Sequence, residues 1–139
     1  MTWGSAKKSK LQKIIKIQKK AVRAVNNDTF RAHTDPIFSS LEILKFKDTY
    51  TISILDFMHK YYHNKLPNSF NNMFNSLAEP NRTKSYKLEL VKHKSLENFP
   101  AAIFPKVWNA IELNIKDIYS PKAFKNEIKM FYLNMYKDF

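Results

Sequence analysis

Apolar side chains recur with a helical period near the start of the chain. From residue 11 to residue 25 they return at spacings of three and four positions, which places them along one side of a helix. This apolar seam, which includes one glutamine, consists of Leu11, Ile14, Ile15, Gln18, Ala21, Val22 and Val25. Ser5 or Ser9 can cap the start, and Asn26-Asn27 can end the helix. The pattern predicts a first helix over residues 5–25.

Three further segments carry helix signals. Asp35 before Pro36 is typical of an N-cap followed by proline at the first helical position, and predicts a short helix over residues 36–43. Residues 47–64 predict the core helix, because large apolar groups occupy a wide face: Tyr50, Ile54, Phe57, Met58, Tyr61 and Tyr62. Ser120-Pro121 repeats the cap-then-proline signal and opens a last helix over residues 121–137, with Phe124, Ile128, Phe131, Tyr132 and Met135 at helical spacing.

The stretch 78–104 is ambiguous. Tyr86, Leu88 and Leu90 alternate with polar residues, which indicates one short strand that would pair with residues 101–104. Pro105 would then open a helix carrying Val107, Trp108, Ile111 and Ile115. The sequence therefore predicts a mainly α fold. We expect one compact domain over residues 1–139 with five or six helices, and allow one short β-hairpin near residues 86–104.

Basic charge is concentrated at the start of the chain. The first 27 residues hold eight of the 24 Lys and Arg residues and no acid, while the whole chain carries a formal net charge of +12. At 100° per residue, most of these side chains project away from the apolar seam. One helix would thus present a core face and a cationic face, which suits a phosphate backbone. A well-solvated surface helix is the alternative interpretation.

Several kinds of chemistry are excluded or left without support. The absence of cysteine excludes disulfides and thiolate metal sites, and a single glycine, Gly4, excludes a glycine-rich phosphate loop. No Asp-Asp or Asp-x-Asp pair offers a two-metal centre. His59 and His63 have the i, i+4 spacing of metal ligands but lack the zincin glutamate. We expect no enzyme activity, no metal and no cofactor.

Aromatic side chains near the lysines are a second kind of candidate. Trp3, Phe30, Tyr61 and Tyr62 could stack on unpaired bases. Tyr61 and Tyr62 lie at helical spacing, which is more typical of a core. Phe30, beside Arg31 in a polar link, is the better stacking candidate, although it could also be a buried anchor for the loop.

An ordered set of short motifs carries a family resemblance. In chain order they are Trp3–Ala6, Leu11–Arg23, Arg31–Phe38, Leu41–Asp48, Phe57–Lys60, Leu66-Pro67, Phe70, Met73-Phe74, Lys106–Asn109 and Phe124-Lys125. Over nearly its whole length the chain resembles the C-terminal region of LINE-type, jockey-like non-LTR retrotransposon reverse transcriptases, downstream of the palm and thumb.

The resemblance implies a helical appendage that helps to hold template RNA or an RNA–DNA duplex. It does not bring catalysis with it, because the family's catalytic carboxylates lie in the palm and no Tyr-x-Asp-Asp occurs here. Two family features are altered: Phe104-Pro105 replaces a glycine before the proline, and a Tyr-Asn-x-Arg element is reduced to Pro80-Asn81-Arg82-Thr83. The position of Met1 beside the Trp-Gly motif suggests a truncated or independently translated remnant.

These observations together predict a non-catalytic, sequence-tolerant nucleic-acid-binding module. Its expected contact residues are Lys10, Lys13, Lys16, Lys19, Lys20, Arg23, Phe30 and Arg31. The expected partners are RNA or RNA–DNA duplex and the remainder of a reverse transcriptase, with no membrane partner. The lack of a secretory signal and of any apolar run of about 18 residues predicts a cytoplasmic or nuclear protein.

Three alternatives stay open. The first is a helical protein-interaction module, in which the seam of residues 11–25 docks into a groove of a partner and must therefore be exposed in the isolated chain. The second is a membrane-surface or targeting segment, since residues 1–25 are basic and amphipathic. The third is a relic or recruited fragment with no activity of its own.

Overall fold

A computed structural model describes residues 8–76, 87–90 and 99–137 of the chain. The prediction of a mainly α fold is confirmed, because these residues form six α-helices and contain no strand beyond one isolated antiparallel bridge between Ser76 and Leu88. The helices are α1 (Lys8–Val25), α2 (Asp35–Ser40), α3 (Phe46–Tyr62), α4 (Pro100–Asn109), α5 (Leu113–Lys116) and α6 (Pro121–Met135), with a 3-10 turn at Asn68–Phe70.

Helices α1, α2 and α3 end in the same way. The residues Asn27, Glu42 and Asn64 have positive φ angles of 54°, 51° and 54°. After α1 the Asp28 N–H donates to the Arg23 carbonyl at 2.9 Å, which is the 6→1 bond of a Schellman motif. Equivalent bonds follow α2 and α3. In a chain with one glycine, asparagine takes the left-handed position twice and a glutamate once.

The structure corrects the expectation for residues 101–104. They lie inside α4 rather than in a strand, so the predicted pairing with residues 86–90 is wrong. Pro100 opens the helix, because its fixed φ suits the first turn, and Pro105 lies within it. Pro105 cannot donate to the carbonyl of Ala101, and Ala101 is an exposed residue at which water can supply the missing donor. The rest of the proposed hairpin, residues 86 and 91–98, lies outside the described residues.

Other predicted bounds shift by a few residues. Thr34, not Asp35, is the N-cap of α2, and Asp35 lies in the first turn. Helix α2 ends at Ser40 instead of residue 43, because Glu42 takes the left-handed conformation. Ile111 and Ile115 do not continue α4, since that helix ends at Asn109 and α5 begins anew at Leu113.

The chain divides into two compact units, with the divisions inside α3 and α6. The first unit consists of Met1–Ile52 and Asn126–Phe139. Its core is a cluster of five buried side chains from α1, α2 and the end of the chain: Val22, Ile37, Phe38, Leu133 and Tyr136. The Phe38 and Tyr136 rings meet edge to face, with centroids 6.3 Å apart. This cluster is what holds α1 in place.

The second unit, Ser53–Lys125, has an aromatic core. Trp108 is completely buried, its ring centroid lies 6.2 Å from that of Phe124, and Phe57 packs edge to face on Phe104 at 5.5 Å. The side chain of Asn109 joins the 87–90 segment to this core. Its Nδ2 donates to the Leu88 carbonyl at 2.8 Å, and its Oδ1 accepts from the Leu88 N–H at 2.9 Å.

Candidate nucleic-acid interface

The face by which helix α1 contacts the rest of the first unit is narrower than its apolar seam. Val22 is buried, and Leu11, Ile15 and Gln18 are half-buried. These four residues follow one line along the helix at spacings of four, three and four. The helix is therefore anchored along one edge of the predicted seam.

Gln18 fixes the position of α1 through its amide group. Its Nε2 donates to the Leu44 carbonyl at 2.9 Å, and its Oε1 accepts from the Phe46 N–H at 2.9 Å. The residues between α2 and α3 thus bond to the side of α1. A glutamine inside an otherwise apolar seam was the signal in the sequence for this anchor, and we did not predict it.

Four of the predicted lysines form an exposed cationic strip on α1. Lys10, Lys13, Lys16 and Lys20 are all exposed. With a rise of about 1.5 Å per residue, the strip extends for about 15 Å. No acid occurs in the first 27 residues, so the helix itself supplies no carboxylate that would neutralise the strip.

The other two predicted contact residues of α1, Lys19 and Arg23, have further contacts. Arg23 is half-buried, and its Nε donates to the Ala32 carbonyl at 2.8 Å. This bond joins the loop after α1 to the cationic side of the helix. Lys19 is half-buried and lies at the edge of a cavity in the first unit. Arg23 therefore has a positioning contact as well as a charge.

Phe30 and Arg31 lie in the loop that Arg23 holds. Phe30 is 75% exposed, so it is not a buried anchor, and Arg31 is exposed as well. The Ala32 N–H donates to the Thr29 carbonyl at 3.0 Å, which forms a tight turn around these two residues. The loop thus presents an aromatic ring and a guanidinium next to the C-terminal end of the strip.

A second apolar line on α1 is left uncovered. Ile14, Ile17, Ala21 and Val25 lie at i, i+3, i+7 and i+11, and we name them the apolar stripe. Ile17 is 66% and Val25 68% exposed. Ile14, Ala21 and Val25 were expected to face the core, and that expectation is wrong. The predicted seam is wider than the face that contacts the first unit.

The aromatic candidates on α3 are part of the core of the second unit. The Tyr61 hydroxyl donates to the Phe74 carbonyl and accepts from the Phe74 N–H, at 3.2 and 3.1 Å. The Tyr62 ring lies 5.4 Å from Trp108. Both tyrosines are half-buried, whereas Phe30 is exposed. Trp3 lies outside the described residues.

The histidine pair on α3 bonds to backbone carbonyls. His59 Nε2 lies 2.6 Å from the Ile118 oxygen, and His63 Nε2 lies 3.0 Å from the Lys116 oxygen. Among the described residues no group of three His, Asp or Glu side chains could hold a metal ion. Burial lowers the pKa of His59 and outweighs the bond to the Ile118 carbonyl, which raises it, and the nearby His63 and Lys65 lower it further.

Comparison with protein-family models, with curated proteins and with solved structures gives no match to this chain. Within the described ranges, no helix is both long enough and apolar enough to cross a membrane.

Proposed function

We propose that this chain is a non-catalytic nucleic-acid-binding module that holds RNA or an RNA–DNA duplex by phosphate contacts along α1. The observation that carries the proposal is the strip of Lys10, Lys13, Lys16 and Lys20. These four side chains are exposed on a helix whose opposite edge is anchored by Val22. Such a strip can neutralise successive phosphates without disturbing the core.

The composition of the interface favours sequence-tolerant binding. Lysine acts as a point charge on phosphate, whereas specific guanine contacts most often use the two-pronged arginine side chain. The chain contains 24 Lys and Arg residues but only three arginines, and Arg23 already bonds to Ala32. We therefore expect affinity to depend strongly on salt and weakly on base sequence.

The family resemblance gives the proposal a biological setting. A helical region downstream of the palm and thumb of a retrotransposon reverse transcriptase would meet template RNA or the product duplex. The remainder of such an enzyme is the protein partner that this setting implies. Within this resemblance the Lys106-Val107-Trp108-Asn109 motif has a structural explanation, since Trp108 is buried and Asn109 bonds to Leu88.

Charge neutralisation on α1 tests the proposal. Changing Lys10, Lys13, Lys16 and Lys20 to Gln should weaken binding of an RNA–DNA duplex at least tenfold at physiological salt. The matched control changes four exposed lysines elsewhere to Gln: Lys106, Lys122, Lys125 and Lys137. Both variants lose the same charge. Equal losses of affinity in the two variants would contradict a binding face on α1.

A second candidate function is a protein-interaction module, which the apolar stripe favours. That function requires exposed apolar surface on α1, and Ile17 and Val25 supply it. Lys10 lies one turn before Ile14 at the N-terminal end of the stripe, and Lys13 lies beside the stripe, so the partner of complementary charge is an apolar groove rimmed by carboxylates. Changing Ile17 to Ser should abolish binding to such a partner and leave nucleic-acid affinity within twofold.

A further inference from the structure

A cavity of about 340 Å³ opens in the first unit beside α1. Its apolar walls include Ile15, Phe46, Tyr132 and Met135, and Lys19 and Lys47 also line it. This volume lies at the lower end of the range of small-molecule sites, about 300–1,000 Å³. The cavity is thus large enough for a flat, mostly apolar group.

The acidic groups of the cavity already have partners. Asp48 accepts a hydrogen bond from the Tyr136 hydroxyl, and Asp35 pairs with Lys45 at 2.7 Å. The Lys45 ammonium also lies 4.1 Å from the centroid of the Tyr136 ring. Burial, together with donation to Asp48, raises the pKa of Tyr136, so its hydroxyl stays protonated.

The two remaining cations of the lining can meet a ligand. Within the described ranges neither Lys19 nor Lys47 forms an ion pair, and Lys47 is exposed. A suitable ligand therefore has a flat apolar body and a negative charge at its edge. A nucleotide unit, with an aromatic base and flanking phosphates, has both.

We propose that this cavity takes one unstacked base of single-stranded RNA, with the flanking phosphates on Lys19 and Lys47. The inference rests on the proposed function, and it names a single-stranded segment as part of the ligand. Lys19 connects the two sites, because it lies on α1 one turn from Lys16 and also lines the cavity. A strand that leaves the strip at Lys16 would reach the cavity by way of Lys19.

The test compares two single-stranded RNAs of equal length and phosphate number. One carries a uracil at every position, and the other lacks the bases of its central nucleotides. The parent protein should bind the complete strand about tenfold more tightly, the effect of stacking one base. Equal affinities would overturn the cavity proposal and leave phosphate binding by α1 intact. Failure of the parent to bind either strand would also overturn the cavity proposal, and only failure to bind the duplex as well would contradict the proposed function.

Two methionines of α6 supply a matched pair of variants. Met135 lines the cavity and is 45% exposed, while Met130 does not line it and is 50% exposed. Met135→Trp should fill the cavity, so that the complete strand and the strand without central bases bind with about equal affinity. Its affinity for the duplex should be unchanged. Met130→Trp should retain the preference for the complete strand. If Met135→Trp also retains the preference for the complete strand, the proposal is overturned. If the preference is lost in Phe30→Ala but not in Met135→Trp, the base contact belongs to Phe30.

A variant at the exposed Lys47 keeps the proposal falsifiable if tryptophan at position 135 disturbs folding. Lys47→Gln should weaken binding of the complete single strand about threefold to fivefold and leave duplex affinity unchanged. Lys122→Gln, an exposed lysine that does not line the cavity, is its control. Identical single-strand affinities of these two variants would contradict the placement of a phosphate on Lys47.

Discussion

Asn109 bonds to both backbone groups of Leu88 through the two ends of its side-chain amide. The amide thus pairs with Leu88 as a neighbouring strand would, in addition to the antiparallel bridge between Leu88 and Ser76. Leu88 is buried, so losing this pair would leave a donor and an acceptor unsatisfied in the second unit.

Asn109→Ala should therefore lower the free energy of unfolding by about 1–3 kcal/mol. Asn109→Asp should also destabilise the protein, because a carboxylate cannot donate to the Leu88 carbonyl. Urea denaturation followed by circular dichroism measures both changes. Asn126→Ala, at an exposed position of α6, is the control and should cause no loss. Stability of Asn109→Ala equal to the parent's would show that the amide does not hold this segment.

Three helices end at a residue in the left-handed conformation: Asn27, Glu42 and Asn64. Of these, only Glu42 is of a residue type without a preference for that conformation. Glycine removes the steric cost of that conformation, about 1–2 kcal/mol. Part of this gain in stability is lost, because glycine has a higher conformational entropy in the unfolded chain. Glu42→Gly should stabilise the protein by about 0.5–1 kcal/mol in thermal or urea unfolding. Glu42→Ala removes the charge but keeps the Cβ atom, so it should not stabilise. Equal effects of the two variants would assign the gain to charge instead.

His59 should make stability depend on pH. Its pKa in the folded protein is lowered, mainly by burial, so the unfolded chain takes up a proton near pH 6.5 while the folded protein does not. Stability is thus fully present above pH 6.5 and falls as the pH decreases below it, by at most about 1.4 kcal/mol per pH unit. The charged and titratable groups that act on the His59 ring are His63, Lys65 and Asp56.

The measurement is urea unfolding of the parent and of His59→Gln between pH 7.5 and 5. Glutamine does not titrate, so the variant should lose less stability than the parent over this range. His33→Gln changes an exposed histidine and should follow the parent. If the free energy of unfolding of His59→Gln falls with pH as much as that of the parent, His59 is not the group responsible for the pH dependence.

Arg23 should behave as a positioning residue more than as a phosphate contact. Its Nε bond to Ala32 holds the loop that carries Phe30. Arg23→Gln should cost about 1 kcal/mol of stability and reduce the salt dependence of binding less than Lys16→Gln does. Unfolding experiments and salt titrations of the two variants separate the roles. A larger loss of salt dependence in Arg23→Gln would make it a principal phosphate contact.

The sequence predicted the long helices because their apolar residues repeat over several turns. Helices α1, α3 and α6 all begin and end within about three residues of their predicted bounds. The strand that the sequence indicated for residues 101–104 was wrong for a physical reason. A short apolar run fits a strand or a helix equally well, and the decisive feature was Pro100 at the first helical position.

The candidate interface could be predicted only in part. Periodicity placed the lysines opposite the seam, but it could not show that the first unit covers just one edge of that seam. It also could not show that Arg23 bonds to Ala32 or that Lys19 lines a cavity, because both depend on residues distant in the chain. Phe30 stood in a polar link whose conformation has no period, so its exposure had to come from the structure.

The salt dependence of duplex binding tests the central claim most directly. The logarithm of the affinity should fall linearly with the logarithm of salt concentration, with a slope of about −0.9 for each phosphate neutralised. Replacing Lys10, Lys13, Lys16 and Lys20 by Gln should make that slope smaller by about 3–4, whereas the control at Lys106, Lys122, Lys125 and Lys137 should keep the parent's slope. If the α1 variant is folded and retains both the affinity and the slope of the parent, α1 is not the nucleic-acid-binding face.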